Sequence, residues 1–405
     1  MEFLREAFYR TRKDGAPGVD GQIGREYEEG LDERLASLLN RFKAGTYKAP
    51  PVRRVFIPKG DGSQRPLGIP TFEDKVLQRA VAMVLEAVYE QDFLDCSHGY
   101  RPGRSAHTAL ASLDKVLFDG GGGWVLEMDI TKFFDSLPHS QLRTILDQRV
   151  RDGVLRRSID KWLAAGVLEG QQLSHSDTGT PQGGVISPLL ANVYLHEVLD
   201  RWFERDVKPR LRGSAQLIRF ADDAVMVFKQ EADARKVMDV LPKRFGKYGL
   251  TLHPTKTRLL HFRPGRDDED PPQHDDRGFD FLGFTHYWGQ SRKGSWVVQR
   301  KTASSRFSRA LTRISAWMRR FAHEPVRWQH QQLVAKLRGH DNYYGVAGNW
   351  KSLARFRHEV MRVWRTRLGR RNRNGPMSWR RFMQFMKCYP FPRPHVQPRA
   401  RAANP

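Results

Sequence analysis

The chain has 405 residues, 39% hydrophobic and 28% charged, enough for two or three domains around a large core. Its 69 Lys and Arg against 45 Asp and Glu give a net charge of +24, and the excess is local: residues 1–288 hold 42 of each sign, while residues 289–405 hold 27 basic and three acidic side chains (Glu324, Asp341, Glu359). The longest helix-like apolar stretch, Ala80–Val88, is broken by Glu86, the N-terminus lacks an apolar leader region, and Cys96 and Cys388 are alone, so no membrane span, secretory leader, disulfide framework or Cys-based zinc site is expected, and the expected setting is a reducing interior.

In chain order, the first informative block is Ile57–Arg65, where Lys59 and Arg65 flank a Gly-Asp-Gly turn. A hairpin there aims two cations at one target. Arg grips phosphate through a planar fork and Lys acts as a point charge, so a triphosphate fits; an exposed basic hairpin is the plainer alternative. Phe72–Tyr89 has apolar residues at helical spacing. Asp119–Gly123 is a glycine-rich loop, and Trp124–Ile130 is a strand that ends on Asp129. Of Phe133 and Phe134, Phe133 is assigned to the core.

In Thr180–Pro188 the glycines permit close backbone approach to a ligand, and Gln182 both donates and accepts. The spacing then predicts a helix over Ser187–Phe203 with Ser187 as N-cap and Pro188 at its first position. Gln216–Phe228 reads as two short strands around an Ala221-Asp222-Asp223 turn. Arg263–Gly278 is acidic, Pro-rich and nearly devoid of apolar residues, which suits a solvated loop. Helices are expected over Ser304–Ala322, Arg327–Arg338 and Leu353–Leu368, and the tail from Pro390 cannot form one.

Two aspartates at a hairpin tip suit a solvated turn. Here both flanks are apolar, so the tip emerges from a buried sheet, and Asp129 ends another apolar strand. Carboxylates brought together raise each other's pKa unless a cation neutralises them. Oxygen ligands suit Mg²⁺, and the Ile130 carbonyl offers one more. Two such ions, with Mn²⁺ as a substitute, would activate a 3′-hydroxyl and stabilise a leaving pyrophosphate. Asp129 and Asp222 are 93 residues apart, so the proposal needs a fold that joins two distant strands.

Taken together, VLEMDITKFFDSL (125–137), GTPQGGVISPLLANVYL (179–195) and IRFADDAVMVF (218–228) resemble the ordered motifs of group II intron-encoded reverse transcriptases. The resemblance extends to GAPGVDG (15–21), RRVFIPKGDGSQRPLGIPTFEDKVLQRAV (53–81), SHGYRPGRSAHTAL (97–110), YGLTLHPTKTRLLHF (248–262) and FDFLGFTHYW (279–288), and LRGHDNYYGVAGN (337–349) resembles maturase domain X. It implies an α+β, right-hand polymerase fold: N-terminal extension and fingers over 1–120, palm over 121–288 with a fingers segment at about 140–180, a basic α-helical thumb and domain X over 289–390, and a disordered tail over 391–405.

The implied activity is RNA-directed DNA synthesis with a maturase role; a splicing maturase with dispensable polymerisation, or a host-domesticated enzyme, is the alternative. The implied partners are an RNA template, a DNA primer, deoxynucleoside triphosphates and group II intron RNA, with no membrane, in a bacterial cytoplasm or on its nucleoid, as monomer or dimer. The resemblance places Asp129, Asp222 and Asp223 at the metals. It places Lys59, Arg65, Phe134, Gln182 and Lys256 around the nucleotide, with Phe134 beneath its sugar, where a ring would clash with a 2′-hydroxyl. Lys256 is a general acid towards pyrophosphate or a surface lysine. Arg101, Gly183, Arg338, Tyr343 and Tyr344 are expected at template or intron RNA.

Three departures accompany the resemblance. Phe220 stands where the family usually has Tyr, the segment ahead of GAPGVDG is short, so that either the RNA contacts of a longer extension are not expected or the start is misplaced, and nothing resembles an HNH endonuclease. P-loop and HExxH patterns are incomplete. In the basic region, six tryptophans (Trp296, Trp317, Trp328, Trp350, Trp364, Trp379) are interleaved with arginine. That mixture suits phosphate contact with base stacking, and so a polyanionic, nucleic-acid partner.

Overall fold

A computed structural model describes residues 1–58, 62, 64–170, 172–174, 178–179, 183–264, 278–291, 293–371 and 376–396. The expected nucleotide contacts Lys59 and Gln182, and most of the acidic Arg263–Gly278 segment, lie outside the described residues. The chain divides into two compact units, Met1–His261 and Phe262–Pro405.

The strands of the first unit, in chain order, are β1 (Val52–Pro58), β2 (Gln64–Ile69), β3 (Gly123–Met128), β4 (Val167–Glu169), β5 (Gln172–Ser174), β6 (Ala215–Phe220), β7 (Asp223–Phe228) and β8 (Arg258–Phe262). They form two sheets, ordered β2-β1-β4-β5 and β6-β7-β3-β8. In the first, β1 and β2 are an antiparallel hairpin from Arg53 opposite Ile69 to Pro58 opposite Gln64. In the second, β7 is central and pairs antiparallel with both β6 and β3. Ala224 through Phe228 are all buried, so β7 reads as a continuous apolar run with both faces covered.

The Phe72–Tyr89 helix forms where the spacing puts it. The Thr71 hydroxyl accepts from the Asp74 N–H, and Glu73 and Asp74 favour the positive end of the helix dipole. Its Val76, Leu77, Val81 and Leu85 enter one core with Met128, Met226, Leu190, Tyr194, Leu241 and Phe245. The helix expected over Ser187–Phe203 is α-helical only over Ser187–Leu195, and continues as wider π-type turns over His196–Arg201 and Phe203–Val207. Ser187 is its first helical residue and Ile186 occupies the cap position, a shift of one residue that Pro188 tolerates, because the first turn needs no N–H donor.

In the second unit, β9 (Phe279–Phe281), β10 (Phe284–Gln290) and β11 (Trp296–Thr302) form an antiparallel sheet of order β11-β10-β9. The region from residue 289 was expected to be helical, and it opens instead with β11. The helices are Ser304–Arg320, Val326–Tyr344, Trp350–Gly369 and the unanticipated Trp379–Cys388, capped by the Ser378 hydroxyl. They pack on Leu333, Phe356, Val360, Trp364 and Phe382. The six tryptophans do not share one role. Trp364 is fully buried and donates to Gln329 at 3.1 Å, Trp317 and Trp328 stack on each other, and Trp296, Trp350 and Trp379 are exposed. Among the described residues, no helix is long and apolar enough to cross a membrane.

Candidate active site

The β6–β7 turn is a two-residue loop. Phe220 pairs with Asp223, leaving Ala221 and Asp222 at the tip. Asp223 is thus a strand residue, where the sequence reading put it in the turn. Tight hairpins need a positive φ at a central position, which Ala221 supplies at 57°. In β3, Met128 pairs with Ala224, so the next residue, Asp129, continues the register towards Asp223, the first residue of β7. The register therefore brings all three carboxylates to one end of one sheet, although Asp129 and Asp222 are 93 residues apart.

Asp129 is held by the segment 251–257. Its carbonyl accepts from the His253 N–H at 2.8 Å, and the Thr131 N–H donates to Thr251 at 2.8 Å. These bonds flank the bridge of Ile130 to Leu252, so the ladder does not use the Ile130 carbonyl. The Lys256 ammonium lies 3.0 Å from Asp129 Oδ2; the lysine expected at pyrophosphate is here the counter-ion of a carboxylate.

Burial pushes the Asp222 carboxyl above its ordinary value, and the charge of Asp129 adds to this, against its backbone hydrogen bonding, Arg65 and Arg219. The carboxylates feel one another, and a cation would relieve that crowding. Among the described residues no three acidic, His or Cys side chains converge into a ready-made metal cage, and Asp129 faces Lys256. The donor set is all oxygen, suits a hard divalent ion, and already accommodates positive charge.

Arg65, exposed on β2, acts on both Asp222 and Tyr100. It stands on β2 opposite Ile57, and its charge opposes the rise at Asp222. Phe134 is half-buried on the short Phe133–Ser136 helix, edge-on to a buried Phe133. Gly183 has φ 114°, and a Cβ there would stand 2.6 Å from the Gly68 carbonyl of β2. Just beyond it, the Val185 and Ile186 N–H groups donate to Gln78 Oε1 at 2.8 and 3.4 Å.

Arg101, expected at template, is turned inward. Its side chain is 4% exposed, and its guanidinium is used up on Glu90 and on the carbonyls of Leu94 and Ser97, all at 2.7–2.9 Å. In the second unit Arg338 is exposed, Tyr343 donates to Leu282 at 2.9 Å and Tyr344 packs on Phe284.

Sequence reasoning missed several residues of the first unit. Tyr100 is 52% exposed, has φ 57°, and lies 6.4 Å from the Phe220 ring. Arg219, Asp200, Asn192 and Ser97 form a buried polar cluster behind the hairpin. The signal for Arg219 was in the sequence: an arginine inside an apolar strand has to be paired.

Comparison with known proteins gives a family match, reverse transcriptase (RNA-dependent DNA polymerase), over residues 57–286. The group II intron-encoded protein LtrA of Lactococcus lactis is 39% identical over 225 residues, 53% of this chain and 37% of that protein. Protein YkfC of Escherichia coli is 35% identical over 300 residues, 65% of this chain and 78% of that protein. Nuclear intron maturase 2, mitochondrial, of Arabidopsis thaliana is 27% identical over 183 residues, 35% of this chain and 24% of that protein. The matched region thus spans little more than a third of the length of LtrA.

Proposed function

The chain belongs to the reverse transcriptase (RNA-dependent DNA polymerase) family, with group II intron-encoded relatives, and from that premise we propose that it copies RNA into DNA at the carboxylate end of the β6-β7-β3-β8 sheet. The family is generally dependent on divalent metal, and for this chain the ion proposed is Mg²⁺. The observation that carries the reading is the register that continues Asp129 towards Asp223 with Asp222 at the adjacent turn.

Asp129, Asp222, Asp223 and the Ile130 carbonyl would hold the ions. When bound, they would supply acidity to a primer 3′-hydroxyl and neutralise a leaving pyrophosphate. Arg65 would bind the triphosphate of the incoming deoxynucleotide, and Phe134 would floor its sugar. Lys256, released from Asp129, would donate a proton to the departing pyrophosphate. The Gln78 amide holds the backbone at 185–186, and so the loop that would meet nucleotide and template.

The second unit would bind RNA, including group II intron RNA, in a splicing role. What favours this is its localised charge and the likeness of the chain to an intron maturase. A bacterial cytoplasmic location goes with the same reading.

Primer extension on an RNA template tests the polymerase. Asp222→Asn is expected to lower kcat by at least about a thousandfold with RNA binding retained; extension at the wild-type rate would refute the assignment. A polymerase-dead protein that still promotes splicing of a cognate intron would establish the second role separately.

A further inference from the structure

We propose that Arg219 is the positioning residue of the carboxylate hairpin: neutralised by Asp200, it fixes the peptide that leads into Asp222. The inference rests on the polymerase reading above and deepens it.

Arg219 and Asp200 both have side chains with no exposure. They meet fork to fork, Nε to Oδ1 at 2.7 Å and Nη2 to Oδ2 at 2.6 Å. Burial pushes the Asp200 carboxyl up, but the charge and hydrogen bonds of Arg219 outweigh it and hold the carboxyl below its ordinary value.

The other guanidinium donors reach three separate places. Nη1 donates to the Ala221 carbonyl at 2.9 Å and to Asn192 Oδ1 at 3.0 Å, and Nη2 donates to Ser97 Oγ at 2.8 Å. Asn192 in turn donates to the Gly99 carbonyl at 2.6 Å. The main chain of Arg219 is paired as well, its N–H to Cys96 at 2.7 Å and its carbonyl to the His98 N–H at 2.8 Å. One side chain thus ties the Ser187–Leu195 helix, the π-type turn with Asp200 and the segment 96–99 to the hairpin tip.

The Ala221 carbonyl belongs to the peptide whose nitrogen is that of Asp222. Holding it fixes the direction in which Asp222 leaves the turn. The tip needs holding, because Ala221 sits in a conformation that non-glycine residues keep only where their surroundings over-determine it. Only a planar, permanently charged fork serves all these acceptors at once; an ammonium does not. The Arg219 side chain has no exposed surface, so its effect on chemistry passes through Asp222.

The test uses the full chain. Arg219→Met/Asp200→Leu removes the pair whole and leaves no buried charge, a replacement often neutral for folding. Arg219→Lys keeps the charge and loses the fork. Thermal unfolding reports the fold, electron paramagnetic resonance reports binding of Mn²⁺ alone, and primer extension on RNA separates kcat from the KM for deoxynucleotide.

The folded double variant is expected to bind Mn²⁺ about tenfold more weakly. It should lose about a hundredfold in kcat, with KM within about twofold, and Arg219→Lys should fall between it and wild type. Wild-type Mn²⁺ affinity and kcat in the folded double variant would overturn the inference. If that variant does not fold, Arg219→Lys decides: losses in kcat and Mn²⁺ affinity support the inference, and wild-type values overturn it. Failure of the polymerase reading looks different, because wild-type protein would then extend no primer while the Mn²⁺ measurement still reads Arg219.

Discussion

At the scale of single residues, the convergence of Asp129, Asp222 and Asp223 on one sheet end was legible because carboxylates at the ends of apolar strands conflict with burial unless something uses them. Phe133 was legible as core and is 2% exposed. Arg101 misled, because an arginine in a loop reads as available, and only the fold shows that Glu90 and two carbonyls consume its donors. Tyr100 went unread because nothing local marks a residue whose neighbour, Gly99, packs on a turn more than a hundred residues away. Phe134 belongs at this scale too. It lies five residues beyond Asp129 with its ring half-buried, and in the proposed site a smaller side chain would open space under the sugar. Phe134→Ala is expected to raise ribonucleotide use by about ten- to a hundredfold, read from competing primer extension with ribo- and deoxynucleotides; unchanged sugar discrimination would count against the assignment.

Elements were legible where period and caps agreed, and blurred where tertiary contacts decide. The Phe72–Tyr89 helix has the bounds its spacing predicts. The π-type turns after Leu195 could not be read, since their widening places Asp200 under Arg219 and no local pattern specifies that. The Trp379–Cys388 helix was missed because only Phe382 and Met386 of its ten residues are buried, too few for a period to show. Close approach of backbones is likewise a property of element pairs. A Cβ on Gly99 would stand 2.3 Å from the Ala221 nitrogen and 3.0 Å from the Phe220 carbonyl carbon, so the segment 97–100 and the hairpin must move apart. Gly99→Ala is expected to cost about 1–3 kcal/mol in stability, measured by denaturant unfolding, with a loss of extension activity at temperatures where the protein stays folded.

Across the whole molecule, charge and architecture divide the chain differently. The charge changes near residue 289, whereas the compact units meet between His261 and Phe262, because β9 and β10 are near-neutral strands that pair with basic β11. The second unit is therefore the basic helices together with this small sheet. Its arginines crowd one another: burial lowers the Arg367 guanidinium, and the charges of Arg370 and Arg319 lower it further. Such crowding favours a polyanion that brings its own negative charge. Replacing Arg319, Arg367 and Arg370 together with Gln is expected to reduce the slope of log affinity against log salt by about 2 for single-stranded RNA, seen in filter binding across salt concentrations. An unchanged slope would move the RNA surface elsewhere.

The buried Arg219–Asp200 pair also bears on how the chain finds its fold. Period-two strands are prone to slip, and one step along β6 and β7 would turn every side chain to the other face. Many apolar residues of this sheet are buried on both faces, so hydrophobicity alone discriminates poorly between the native and the slipped pairing. A slipped β6 would carry Arg219 away and strand Asp200, with its zero exposure, as an unpaired charge in the interior, among the most costly errors a folding chain can make. The same ion pair thereby disfavours the slipped pairing of β6 where the apolar pattern of the sheet does not.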